Sequence, residues 1–354
     1  MGKKYIDLTD FKADRFGVYD STHAIMEWFD RVLSTGKTGY VPSGNYLVSK
    51  NMIFDLSVAA DTGIKIIGDG IGRSTFSSTV STGPAFSFLR SGATSGNMLP
   101  WFYSSVLDIG FVGNTDGPVV SIGNANLFDQ CNDSRFRIMA TNSNGAAGCV
   151  AIQANALYNC DLMLVGNCSG SVGDSLQVNQ TQFSTFRGSC GNANNAIHIT
   201  NGYSYGNSFL SMDLEASNYC ITQDSADAIN NIFVGGQFDA NTAILNLSAG
   251  DMELDNVNYA SSPIFSGNSY NFATIKGSRS QNSVGTPSVP ASGVAYQNQS
   301  GRPVDVVVYG AATSSIAINS AVLSATGGTI PLSPGDSITL NYSTAPSWVW
   351  IPRY

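Results

Sequence analysis

Three carboxylates in the second half of the chain have the spacing that acid–base chemistry needs. Glu215 lies in the segment LEAS and Asp239 in FDAN, and the two segments align position for position. Asp213 stands two residues before Glu215. Residues two apart on an extended strand share a face. If the aligned segments stack as neighbouring parallel strands, equivalent residues lie about 4.8 Å apart. Carboxylates that close repel, which favours keeping one protonated. A protonated acid beside an ionised carboxylate is the pair that breaks a glycosidic bond. One strand spacing approaches the roughly 5–5.5 Å of a retaining glycosidase, and two spacings fall nearer the inverting range. This predicts Glu215 and Asp239 as the acid/base and nucleophile, with Asp213 as helper. Tyr259 in NYAS and Arg279 in SRSQ continue the column and are candidate substrate contacts. The plainer alternative is a row of solvated surface acids.

Other groups bear on which reaction is favoured. A lyase needs a base for the proton α to a uronate carboxylate and a cation to neutralise that carboxylate. Arg187, His198, Lys276 and Arg279 are the candidates on the later segments. Arg187 aligns with Ser211 and Val234, and His198 follows the inward Ile197, so it points out. One histidine and scattered arginines favour hydrolase over lyase. Trp101-Phe102-Tyr103 and Tyr203-Ser204-Tyr205 are aromatic clusters beside polar turns, and sugar rings stack on such faces. Trp101, Tyr203, Tyr205 and Arg187 are therefore read as substrate-binding candidates, although strand alternation sends at least one aromatic of each triplet into a core. Asp251, Glu253 and Asp255 alternate onto one face and read as an exposed acidic edge, without calcium-loop spacing. Gly68-Asp69-Gly70-Ile71-Gly72-Arg73 lacks the Lys-Ser/Thr ending of a phosphate loop and is not followed by a helix pattern, so it reads as a chain corner.

These residues need elements to hold them. Four segments, CGNANNAIHI, LEASNYCITQ, FDANTAILNL and NYASSPIFSG, repeat with apolar anchors at Ile197, Ile221, Ile244 and Ile264. Subtracting successive positions gives steps of 24, 23 and 20 residues. A second strand-like run precedes each one, and SVLDIGF, SRFRIMA and CDLMLVG continue the pattern upstream. Repeats of this length that cannot bury their own apolar face stack into a solenoid. Gly, Asn and Ser recur too often for helices of ordinary length. Residues 284–300 form a Pro/Ser/Gly-rich hinge. Alternating strands with Gly/Pro turns follow, so residues 284–354 read as a small β-sandwich with Trp348 and Trp350 in its core.

Residues 16–49 mark where the stacking begins. Asp20 and Ser21 sit where an N-cap belongs. Ala24, Ile25, Trp28, Phe29, Val32 and Leu33 form one apolar helical stripe that Gly36 ends. Then Tyr40-Val41-Pro42-Ser43-Gly44-Asn45-Tyr46-Leu47-Val48 reads as strand, turn, strand. This block resembles the opening segment of the phage tailspike and pectate-lyase-like family of right-handed, single-stranded parallel β-helices. The resemblance implies an all-β fold with a capping helix within residues 1–50, a β-helix over 51–283 and a C-terminal β-sandwich that caps, trimerises or contacts glycan. It implies a homotrimer in the virion tail, made in the host cytoplasm, joined to other tail proteins and acting on bacterial surface polysaccharide. That action is hydrolysis of capsule, O-antigen or exopolysaccharide. The alternatives are a glycan-binding or structural tail protein, or a polysaccharide lyase.

Composition bounds the rest. Only 12% of residues are charged while 43% are hydrophobic and 37 are Gly. That suits a stacked β solenoid with a polar, uncharged surface and not a disordered chain. The net charge of −8 and the absence of any basic run argue against nucleic acid. Long apolar stretches and a signal peptide are missing, so membrane insertion and routine export are not expected. The six Cys have no C-x-x-C spacing and lie apart from His23 and His198, so neither a metal nor a cofactor is expected and the thiols read as buried and free.

Overall fold

The structure is a computed structural model. It describes residues 4–92, 99–124, 129–170, 172–200, 202–259, 265, 266, 269, 273–276, 279, 280, 286–300, 303–310, 313–323 and 326–353, the side chains of 279 and 280 excepted.

The helix α1 (Thr22–Thr35) forms where the apolar stripe predicts. Asp20, one residue outside the N-cap, satisfies its first turn by accepting from the Thr22 amide at 3.0 Å. Ser21 occupies the N-cap but spends its hydroxyl on the Asp14 amide at 2.9 Å. Gly36 ends the helix at φ 63, where a side chain is disfavoured, and its amide reaches the Val32 carbonyl. Ile25, Trp28, Phe29 and Val32 are buried in the main core. Trp28 lies so close to the next strand that a Cβ on Gly39 would sit 2.6 Å from its ring. Its indole N–H donates to the Ile6 carbonyl at 2.8 Å.

On both sides of α1 the chain winds into stacked parallel strands, 24 of them among the described residues, two of which, Tyr5–Asp7 and Phe16–Asp20, precede the helix. Three stacks recur. The first includes Lys65–Gly68, the start of Ser105–Gly113 and the start of Arg135–Asn142. The second carries the later halves of those strands up to Asp213–Gln223 and Gln237–Ala240. The third includes Val150–Asn155, Asp174–Asn179 and Ala243–Leu247. Inward residues pile on like residues. Phe186, Phe209 and Phe233 stack at 4.7 and 4.2 Å with ring planes within 13° and 6°. Buried asparagines at the corners tie coil to coil: Asn207 Nδ2 donates to Asn231 Oδ1 at 2.9 Å and to the Thr181 carbonyl at 2.7 Å. Those side chains satisfy backbone groups that a corner would otherwise bury unpaired. This is why Asn, Ser and Gly punctuate the sequence.

The register corrects one part of the sequence alignment. Ile197 pairs with Ile221, but Ile221 pairs with Leu245, not Ile244. Ala243, Ile244 and Leu245 are all buried, so hydrophobicity alone does not set the phase there. Leu245 bridges onward to Phe265, and Ile264 lies outside the described residues. Gly68-Asp69-Gly70 is a corner, with Asp69 accepting from Tyr40 Oη at 2.7 Å and the Ser43 amide at 2.8 Å. The six cysteines are free and buried.

Past the last parallel strands, two antiparallel sheets share one core. One is ordered Ala295–Gln297, Ser337–Tyr342, Thr313–Ile318, Ala321–Leu323; the other Gly328–Leu332, Val304–Tyr309, Ser347–Pro352. Val306, Ile316, Leu340, Trp348 and Trp350 pack between them. Ala295–Gln297 lies inside the stretch read as hinge, because its residues pair with Ser337, Ile338 and Thr339.

Candidate functional site

Glu215 and Asp239 are register partners on neighbouring coils, and Asp213 pairs with Gln237. Glu215 and Asp213 flank the buried Leu214 and project from one face of their strand. Below Glu215 the column continues to Gly191, Asn167 and Thr141, which leaves its lower side uncrowded. All three carboxylates are exposed. The other two members of the expected column move. Tyr259 pairs with Phe238, not Asp239, and is fully buried. Arg279 pairs with Asn258 and so continues the Asp213 column; its side chain lies outside the described residues. The segments NYAS and FDAN differ in phase by one residue, and in a strand one residue exchanges inside for outside.

The aromatic candidates also divide. Trp101 is buried against Phe136, edge to face at 6.3 Å, and so cannot stack on sugar. Tyr203 is exposed. Tyr205 lies on a corner row with Gln182 and Tyr158, and the Phe183 ring stands between the two tyrosines at 5.6 and 4.9 Å. That row borders the first stack, not Glu215. Arg187 belongs there too: Phe186 pairs with Phe209, so its next position matches Leu210 and not Ser211. Its guanidinium binds Asp161 at 2.5 Å.

A groove of about 320 Å³ opens on this edge, lined by Tyr103, Ser105, Asp133, Arg135, Asn159 and Asp161 among others. Corner residues preceding each first-stack strand adopt the left-handed conformation: Tyr103 at φ 56, Asp133 at φ 48, Asn159 at φ 54 and Phe183 at φ 50. Asn159 donates to Asp133 at 2.5 Å, coil to coil. Arg135 faces Asp161 at 3.6 Å. The sequence signal for this site was the run YSSVL, DSRFR, NCDLM, FSTFR, whose alignment stacks Arg135 over Asp161. A bulge between Leu107 and Ile109 hides it, because SVLDIGF laid on SRFRIMA matches Ile109 to Ile138 but sets Ser105 opposite Ser134 instead of Arg135.

A second missed cluster sits on the third stack. His198 does point outward, but it is only one-fifth exposed. Its Nδ1 lies 2.9 Å from Asp174 on the coil below and its Nε2 lies 3.2 Å from Asp224 on the coil above. Asn195 and Gln177 also donate to Asp174, at 2.6 and 2.8 Å. Burial disfavours the imidazolium, yet the two carboxylates outweigh it and raise its pKa. Among the other sequence candidates, Lys276 binds Glu253 at 2.7 Å, which uses the middle carboxylate of the acidic edge. Asp129, which the sequence reading passed over, is fully buried, and desolvation pushes its carboxyl up to about 7. No group of His, Cys, Asp and Glu suited to a metal ion occurs among the described residues. No helix among them is long and apolar enough to cross a membrane.

Fold and site together define a parallel β-helix protein with a charged, aromatic-edged flank. No family model matches the chain, and no curated protein matches it in sequence. Solved structures do. The chain is similar to PfbA, a surface adhesin of Streptococcus pneumoniae, with a TM-score of 0.53 at 13% identity over 78% of each chain. It is also similar to the tailspike protein of Acinetobacter phage vB_ApiP_P1, with a TM-score of 0.49 at 14% identity over 98% of this chain and 78% of that one. A third likeness is to ORF18 of Geobacillus virus E2, with a TM-score of 0.48 at 12% identity over 99% and 78%. At such identities the likeness to PfbA speaks for the fold alone, and none of the three carries a residue assignment.

Proposed function

We propose that the chain is a phage tailspike-like protein that binds bacterial surface polysaccharide and hydrolyses it. In this reading it is a right-handed β-helix capped by α1, completed by a C-terminal β-sandwich, and works as a homotrimer with other tail proteins on the virion. The observation that carries the reaction is the pairing of Glu215 with Asp239 on adjacent coils. Their strand spacing of about 4.8 Å suits a retaining mechanism. One carboxylate attacks the anomeric carbon while the other protonates the leaving oxygen, and water then releases the sugar with the roles reversed. Asp213, on the same face, accepts substrate hydroxyls.

Incubation with purified host polysaccharide tests this. Wild-type chain is expected to release reducing ends. Glu215→Gln and Asp239→Asn are each expected to lower the rate roughly 100-fold or more. Cleavage that survives both changes removes the pair from the mechanism. A second reading, glycan binding without chemistry, is favoured by the open exposure of both carboxylates, since a catalytic acid gains from a water-poor site. Glycan that is bound but never shortened decides for it. A lyase has less support, because Arg187 is engaged by Asp161, Lys276 by Glu253 and His198 by two aspartates.

A further inference from the structure

The groove on the first stack lies away from the Glu215–Asp239 column, and its charges suit a different task. One column reads Lys65, Ser105, Arg135, Asp161, one residue per coil; the last three line the groove and Lys65 stands at its end, one coil before Ser105. Ser105 is the small residue between two cations. At about 4.8 Å per coil, Lys65 and Arg135 stand roughly 10 Å apart along the stack. That is a gap an anionic group can enter from the side. Neither cation is fully used. Arg135 reaches Asp161 Oδ2 only at 3.6 Å, because Arg187 holds Oδ1 at 2.5 Å. Lys65 is exposed and has no ion pair among the described residues. An arginine with an open guanidinium fork matches a carboxylate two bonds at a time.

Tyr103 forms the rim. It is 61% exposed and holds φ 56, a conformation that bulky residues rarely adopt. The corner beneath it is tight: a Cβ on Gly63 would lie 2.5 Å from the Tyr103 carbonyl. The left-handed corner that Tyr103 shares with Asp133 and Asn159 on the next coils thus leaves an exposed aromatic side chain at the mouth of a charged groove. Asp133 and Asn159 add acceptors and a donor on the adjacent coils.

We propose that this groove binds a sugar unit bearing a carboxylate, a uronate or nonulosonate of an acidic polysaccharide. The apolar face of the ring stacks on Tyr103, its carboxylate enters between Arg135 and Lys65 over Ser105, and its hydroxyls meet Asp133 and Asn159. This rests on the polysaccharide reading above and names the glycan class. The net charge of −8 opposes a polyanion at long range. Physiological salt screens that field within about 8 Å, so the local cations decide.

Calorimetric titration of the full chain tests the assignment. The probes are oligosaccharides bearing glucuronate, galacturonate or N-acetylneuraminate, each beside its carboxyl-reduced counterpart. At least one acidic probe is expected to bind, with the reduced form roughly ten- to a hundredfold weaker. Arg135→Ala and Lys65→Ala, both at exposed positions, are expected to weaken the acidic probe and leave the reduced one unchanged. Acidic probes that bind no tighter than reduced ones, or that ignore both substitutions, overturn the assignment, as does the absence of any binding. Reducing-end release is scored separately, so loss of the hydrolytic pair and loss of this site give different results.

Discussion

At the scale of single residues, His198 shows how a solenoid recruits charge between coils. Asp174, His198 and Asp224 come from three successive turns and meet in one row of hydrogen bonds. The groups facing the imidazole are Asp174 and Gln177 below, Asn195 on its own strand, and Thr222 and Asp224 above. Its pKa in the folded chain is raised above the model-peptide value of 6.5. A raised histidine pKa means that the folded state holds the proton more tightly. The stabilisation is complete below 6.5 and is lost as pH climbs through the folded value. His198→Gln is therefore expected to cost about 1.5–3 kcal/mol at pH 6, the range of a charge-assisted hydrogen bond. The cost shrinks at pH 9. Denaturant unfolding at the two pH values checks this, and an equal cost at both would show that the imidazolium contributes nothing.

At the scale of elements, α1 does its work through Trp28. The ring fills the space that Gly39 leaves open, and its N–H reaches back to Ile6 in the first strand. Phe29 meets Phe54 edge to face at 4.9 Å, which joins the helix to the third stack. Trp28→Ala removes the largest side chain of this contact and leaves a cavity, so a loss of roughly 3–5 kcal/mol is expected. Thermal unfolding measures it, and proteolysis should then start at the N-terminal coil. A substitution that leaves both unchanged would mean that α1 is dispensable to the stack.

At the scale of the whole molecule, the third stack carries an outer row of Ser121, Gln153, Gln177, His198, Thr222 and Asn246. Gln153 and Gln177 are hydrogen-bonded to each other at 3.1 Å, Thr222 donates to Asn195, and the charge at His198 is met by Asp174 and Asp224. Polar side chains already bonded within the chain give up less on burial against a second copy than free ones would, which supports the proposed trimer. Light scattering coupled to size exclusion is expected to give the mass of three chains at micromolar concentration. A single-chain mass there would sink the trimer and, with it, any site built between copies.

The sequence by itself determined the class of fold. Apolar spacing from Ala24 to Leu33 made one helix, and the recurring Asn/Ser/Gly positions ruled out helices of ordinary length in the repeats. It also placed Glu215 beside Asp239, because LEAS and FDAN each carry a large apolar residue, Leu214 or Phe238, directly before the acid and an alanine directly after it. Tertiary structure decided what short-range pattern leaves degenerate. Where neighbouring residues were all apolar, as at Ala243, Ile244 and Leu245, only pairing fixed the phase. Where the phase slipped by one residue, Tyr259 turned inward, and in the Trp101 triplet only pairing decided which aromatic joined the core. The His198 row and the Tyr103 groove gather residues from coils more than twenty positions apart. Their proximity is a property of stacking, which brings distant residues within a strand spacing of one another.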